Sequence, residues 1–162
     1  MNFSQITDDL FIGPMPTAVD YNHLYDLGVR LVLNMRFIAH LPQGVKEPPF
    51  DVLWLRTIDS PLFPMPIETL VRGVHAAQET ISKGGKIYSH CAAGRHRSVA
   101  MGAAILIAQG HAPDVAMELI KAKRPFADPD IFYIKGRILA FAHHWKQEFR
   151  EFSPSRKDTG TM

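Results

Sequence analysis

The sequence predicts an α/β fold, with a mostly parallel central sheet flanked by helices. Three observations lead there. Short β-rich apolar runs alternate with longer stretches of helical periodicity along the chain, the pattern of α/β winding. Glycine or proline marks the junctions, at Gly13-Pro14, Gly28, Gly84-Gly85 and Gly110, where regular structure breaks. Residues 86–108 join an apolar strand to an apolar helix, each of which reads as buried. A chain of 162 residues, 46% of them hydrophobic and 21% charged, suits one domain with a sizeable core.

Residues 3–6 and 10–12 read as two short strands around a turn at Asp8-Asp9. Thr17 is placed to cap a helix over 18–27 that Gly28 ends. Residues 29–34 form a β-rich run expected at the centre of the sheet. Residues 35–50 hold Pro42, Gly44, Pro48 and Pro49 and read as a surface loop with room for one helical turn. Residues 51–58 are the next strand, followed by a proline-rich loop over 59–66. Leu70, Val74, Ala77 and Ile81 recur at helical spacing within 67–83, a helix with one apolar stripe. Pro113 suits the first turn of another helix reaching about residue 123. Lys121, Lys123 and Arg124 lie near its C-terminus, where positive charge suits the dipole without any ligand. Asp130 is placed to cap a last helix with Ile131, Ile134, Ile138, Phe141 and Trp145 on one face, and that helix is expected to cover the sheet. The expected organisation is one domain over 1–152 and a polar tail over 153–162.

Composition narrows the function. The formal charge of +2 is too small to argue for a nucleic-acid partner, and no basic strip with interleaved aromatics is present. Cys91 is the only cysteine, so no internal disulfide can form and a reducing, cytoplasmic setting is expected. The first residues lack a secretory pattern, and the longest apolar run, 99–108, is too short to span a bilayer. A monomer is expected. His75 has no metal partner, and His143 and His144 are adjacent and so point different ways around a helix. No metal or cofactor is expected.

The chemistry concentrates in His90-Cys91-Ala92-Ala93-Gly94-Arg95-His96-Arg97-Ser98, pinched between the strand over 86–89 and the helix that opens near Val99. Such a loop directs several backbone N–H groups to one point, and the following helix adds its dipole, which makes an anion site. Unpaired amides, a helix N-terminus and a guanidinium all favour the thiolate of Cys91. The same groups suit the non-bridging oxygens of a phosphate, two of which the planar fork of Arg97 can grip. Gly94 lets the loop turn. Ser98 is placed to cap the backbone or to donate to the sulfur. The competing reading of Cys91 is a buried inert thiol.

His-Cys-x5-Arg-Ser resembles the signature of the cysteine-dependent protein tyrosine phosphatase superfamily, and the length and Arg-Ser ending look most like its small atypical dual-specificity members. Asp-Leu-Phe-Ile-Gly-Pro-Met-Pro over 9–16 resembles their N-terminal edge. The resemblance implies a tyrosine/dual-specificity phosphatase-like fold and a two-step reaction: a thiolate forms a phosphocysteine, which water hydrolyses. It also implies an aspartate on the loop after the strand over 51–58. Asp59 lies there, at the carboxyl end of its strand, where ligands gather in a parallel sheet; Asp51 lies at the wrong end. The alternative reading of Asp59 is a loop residue bonding its own backbone.

On this reading Cys91 is the nucleophile, Arg97 binds the transition state, and Asp59 is the general acid and then base. The N–H groups of Ala92, Ala93, Gly94, Arg95, His96 and Arg97 form the phosphate cradle, Ser98 eases departure of the sulfur, and His90 supports the loop from beneath. Arg95 and His96 either face the pocket mouth or, for Arg95, brace the loop against an acid. The resemblance also puts Phe37 and His40 at the pocket edge, although packing of their loop onto the body is the plainer reading. The expected substrates are phosphotyrosine and phosphoserine or phosphothreonine on proteins, or a small phosphomonoester. The alternatives are a phospholipid or inositol phosphate at the same site and, outside enzymes, an inert phosphate-binding module.

Overall fold

In a computed structural model, residues 2–38 and 40–152 are described. Their strands are β1 (Ser4–Gln5), β2 (Leu10–Gly13), β3 (Val29–Arg36), β4 (Asp51–Thr57) and β5 (Lys86–His90); their helices are α1 (Ala18–Asp26), α2 (Ile67–Ser82), α3 (Arg97–Ala108), α4 (Pro113–Lys123) and α5 (Phe132–Phe152). The sheet runs β1-β2-β5-β3-β4, antiparallel only at the β1–β2 edge. The predicted α/β class and mostly parallel sheet are what the chain forms.

Strand alternation divides the core between the two faces of the sheet. Leu10, Ile12, Leu31, Leu33 and Ile87 belong to one apolar core with residues of α2, α3, α4 and α5. Phe11, Val32 and Tyr88 point the other way and pack with Tyr21 and Leu24 of α1 and with Phe50. Thr17 caps α1 with a reciprocal bond, its hydroxyl accepting from the Asp20 N–H while its own N–H donates to the Asp20 carboxylate at 2.8 Å, which satisfies two donors that the helix leaves over.

Three expectations are corrected. Residues 37–50 contain no helical turn among the described residues; the Val45 N–H closes a reverse turn on the Pro42 carbonyl at 3.0 Å. The last helix does not cover the sheet. α2 and α3 already occupy that face, so α5 lies outside them and packs on α3 and α2. Asp130 is not its cap: α5 starts at Phe132, the Ile131 carbonyl accepts the first helical bonds, and the Asp130 carboxylate holds Lys121 at 2.5 Å and Lys135 at 3.7 Å. The predicted tail over 153–162 lies outside the described residues.

The parallel register matters most for the site. Gly13 and Asn34 flank His90 on neighbouring strands, and Arg36 pairs with Thr57. The carboxyl ends of β2, β3, β4 and β5 therefore meet, and the segments that leave them surround one point.

Candidate active site

β5 ends at His90, α3 begins at Arg97, and the loop between them lies flat against the end of β2. Gly94 has φ 68°, and a Cβ there would come within 2.3 Å of the Gly13 carbonyl carbon, so both the left-handed backbone and the close approach demand glycine. The loop's carbonyls are all tied outward. Ala92 accepts from the Met15 N–H at 3.2 Å and Arg95 from the Asp128 N–H at 3.0 Å. Arg124 donates through Nε to Gly94 at 2.7 Å and through Nη2 to Ala93 at 3.2 Å. A planar trans peptide points its C=O and the next N–H in opposite directions. Four carbonyls held outward thus turn the N–H groups of Ala93, Gly94, Arg95 and His96 inward.

Cys91 sits inside this ring, almost fully buried. Burial is the largest single influence on its thiol and pushes its pKa up, but the Ser98 hydroxyl, the backbone N–H groups of Ser98 and Arg95, and the Arg97 charge together pull it below the ordinary thiol value. The balance favours the thiolate. Ser98 Oγ lies 3.3 Å from the sulfur, and the Ser98 carbonyl is held by the Ser89 hydroxyl at 3.1 Å. Beneath the loop, His90 Nδ1 is 3.2 Å from the Cys91 carbonyl. A carbonyl only accepts, so Nδ1 carries the hydrogen. Burial pushes the His90 pKa down to about 4, which keeps the ring neutral near pH 7, stacked on Tyr88 at 5.8 Å.

Arg97 projects from the first turn of α3 across the carboxyl ends of β3 and β4. Its Nη1 donates to the Thr57 carbonyl at 2.8 Å and the Met35 carbonyl at 3.2 Å, and the Thr57 hydroxyl shares the Met35 carbonyl. One edge of the guanidinium is thereby fixed in place. Its buried Nε makes no hydrogen bond among the described residues; the nearest acid, Asp59 Oδ2, is 3.9 Å away.

Asp59 leaves the end of β4 and is held from two sides. Its Oδ2 is 3.0 Å from His96 Nδ1, and its Oδ1 accepts from the Tyr133 hydroxyl at 2.8 Å. Burial first, then Asp59, raises the Tyr133 pKa to about 12, so Tyr133 remains a phenol that donates. The alternative of Asp59 bonding its own backbone is not the arrangement found. Arg95 takes the bracing geometry, 3.5 Å from Asp128 and 5.5 Å over the Phe126 ring. Phe37 and His40 do not pack their loop onto the body; both are exposed, His40 lying 3.2 Å from Arg36.

Two residues of the site escape sequence reasoning. Arg124 was expected to serve the α4 dipole. Instead it is buried at 2% exposure and bonds, besides the loop, the Asn2 carbonyl at 3.1 Å. It stands 30 residues from Gly94 in the chain, with no local pattern to set it apart from Lys121 and Lys123. Tyr133 stands 74 residues from Asp59 and carries no signal either. Among the described residues no cluster of three or more His, Cys, Asp or Glu side chains could hold a metal ion, and no helix is long and apolar enough to cross a membrane.

A cysteine and an arginine closing one amide ring, on a loop between a parallel strand and a buried helix, define the class as the cysteine-dependent protein tyrosine phosphatase superfamily. No family model matches the chain. Dual specificity phosphatase 28 of Mus musculus is 30% identical over 134 residues, covering 80% of this chain and 77% of that protein. Human phosphatidylglycerophosphatase and protein-tyrosine phosphatase 1 is 32% identical over 133 residues, covering 76% of this chain and 65% of that protein. The crystal structure of PTPMT1 in complex with PI(5)P superposes with a TM-score of 0.79 at 25% identity, over 91% of this chain and 98% of that one. The chain belongs to the dual-specificity phosphatase family.

Proposed function

We propose that this protein hydrolyses phosphomonoesters through a phosphocysteine intermediate, as a single catalytic domain over residues 1–152. The observation that carries the reading is the convergence of three groups: the Cys91 thiol, whose pKa its hydrogen bonds and the Arg97 charge lower, the unspent Nε of Arg97, and the Asp59 carboxyl 3.9 Å from that Nε.

In the first step the Cys91 thiolate attacks phosphorus. The bond from phosphorus to the leaving oxygen breaks, and Asp59 gives that oxygen its proton. The inward N–H groups of the 92–97 loop and Arg97 bind the three equatorial oxygens where charge collects, and their orientation needs no rearrangement at the moment of reaction. In the second step water attacks phosphorus, Asp59 takes its proton, and the sulfur–phosphorus bond breaks. The electron pair returns to sulfur, where the Ser98 hydroxyl stabilises it. His90 holds the loop through the Cys91 carbonyl. Arg95 and His96 contribute backbone N–H groups to phosphate.

Membership of the dual-specificity family supports phosphotyrosine and phosphoserine or phosphothreonine on proteins as substrates. The second reading, a phospholipid or inositol phosphate, is favoured by the relative named for phosphatidylglycerophosphate and the neighbour bound to PI(5)P. The test is turnover of a simple aryl phosphate. Cys91→Ser is expected to abolish it, and Asp59→Asn to lower it by roughly 10²–10⁴-fold with a poor leaving group. Full activity in Cys91→Ser overturns the reading.

A further inference from the structure

Of the twelve exposed large apolar side chains among the described residues, seven stand at the end of the sheet that holds Cys91. Phe37 and Ile38 follow β3, Ile58 follows β4, and Leu62 and Phe63 lie on the loop that carries Asp59. Phe126 lies under Arg95 of the phosphate loop, and Phe132 packs edge-on against Tyr133, which holds Asp59. The other five are scattered over α1, α4 and α5. Leu62, at 81% exposure, and Phe132, at 74%, have almost no cover. Single exposed apolar residues need no explanation, but a contiguous set around a pocket marks a surface meant to meet something apolar.

The collar is cationic as well. Arg36 and Arg56 sit at the ends of β3 and β4, and Arg95 is exposed on the phosphate loop; the acids near the loop arginines are Asp59 and Asp128. Arg56 lines a groove of about 190 Å³ with Phe37, Ile58 and Phe63. It is also the one residue other than glycine with a positive φ among those described, 35°. Backbone strain of that kind persists where the fold uses it. Here the strained residue lines the groove next to Thr57, whose carbonyl anchors Arg97.

We propose that this collar is a docking surface for an anionic phospholipid bilayer, which presents the phosphorylated headgroup to Cys91. The proposal rests on the phosphatase reading of the site and names where its substrate resides. A bilayer fits better than a peptide. The apolar side chains come from separate segments, after β3, after β4, on the Asp59 loop and beside Arg95 and Tyr133, which suits a plane; a bound peptide instead uses one continuous groove or a sheet edge. The combination of exposed Phe, Leu and Ile with arginine is the one that binds the headgroup boundary of anionic membranes.

The experiment is co-sedimentation of the full chain with phosphatidylcholine vesicles, with and without phosphatidylglycerol, alongside turnover of a water-soluble aryl phosphate. The wild type is expected to bind the anionic vesicles, less so as salt rises. Replacing Leu62→Ser and Phe63→Ser together is expected to weaken that binding about tenfold or more, with aryl phosphate turnover within about twofold of wild type because neither side chain belongs to the chemistry. Failure of the wild type to bind either vesicle overturns the proposal, as does a double variant that binds as well as wild type. So does a double variant whose only defect is a raised KM for a phosphopeptide with an apolar flank. Loss of aryl phosphate turnover in the wild type would sink the phosphatase reading instead and leave the vesicle result standing.

Discussion

Below Cys91, nearly every polar group is buried and committed: His90 to the Cys91 carbonyl, Arg124 to Gly94 and Ala93, Ser89 to Ser98, Met15 to Ala92. Above it, the rim is half-exposed, and its acid is held by hydrogen bonds from His96 and Tyr133, with Arg97 Nε 3.9 Å away. The difference teaches how the molecule divides its tasks. A buried donor or acceptor costs about 1–3 kcal/mol once stripped of its partner, so the floor has one arrangement, and the amide ring stays preorganised. The rim is less committed: His96 Nε2 and Arg97 Nε are buried there with no hydrogen-bond partner among the described residues.

That contrast can be broken from below. Gly94→Ala is expected to have the largest effect, because the Cβ would meet the Gly13 backbone at 2.3 Å in a residue already at φ 68°. Backbone strain of about 1–3 kcal/mol adds to the clash, so both the urea midpoint and aryl phosphate turnover should collapse. Unchanged values would mean that the loop does not press on β2. Arg124→Met, which keeps the length and removes the donors, should cost about 3–4 kcal/mol through the carbonyls it strands. It should also slow alkylation of Cys91 at neutral pH, since a loosened amide ring no longer favours the thiolate. A variant as stable and as reactive as wild type would show that the floor does not depend on this arginine.

The floor also predicts a pH dependence. The folded His90 pKa is about 4, against about 6.5 in an unfolded chain. Between those values the unfolded state binds the extra proton, so stability is full above about pH 6.5 and falls as pH drops toward 4, by about 3 kcal/mol in all. Urea midpoints measured from pH 7 to pH 4 in wild type and in His90→Asn check this: the variant should lose the part of the slope that His90 contributes, and identical slopes refute it.

The rim should answer more gently. Tyr133→Phe removes one of the two groups that hold Asp59, a bond worth about 0.5–1.5 kcal/mol. Turnover of a poor leaving group should fall by up to about tenfold while that of a good leaving group, which needs little protonation, barely changes. Equal losses on both substrates would make Tyr133 a structural residue and not one that positions the acid.

Much of this protein is legible without coordinates where the information is local. The apolar run Leu10-Phe11-Ile12, the cap residue Thr17 and the stripe from Leu70 to Ile81 each state their structure within a few residues. The same holds for the amide ring, because Cys91, Gly94, Arg97 and Ser98 are fixed by one strand, one turn and one helix start. The last helix is the opposite case. Its apolar face announces burial, but not whether the sheet or two intervening helices will receive it.

The sequence by itself determined the α/β class, the strand–loop–helix that carries the sulfur, and the end of the sheet where chemistry collects, since short-range sterics and hydrogen bonding decide all three. Only the tertiary structure decided that Arg124 turns inward to hold the loop, that His96 and Tyr133 grip Asp59, and that Phe37, Ile58 and Phe63 line one groove with Arg56. Those pairings join residues 30 to 74 positions apart, and a contact at that range exists only after packing has chosen which surfaces meet.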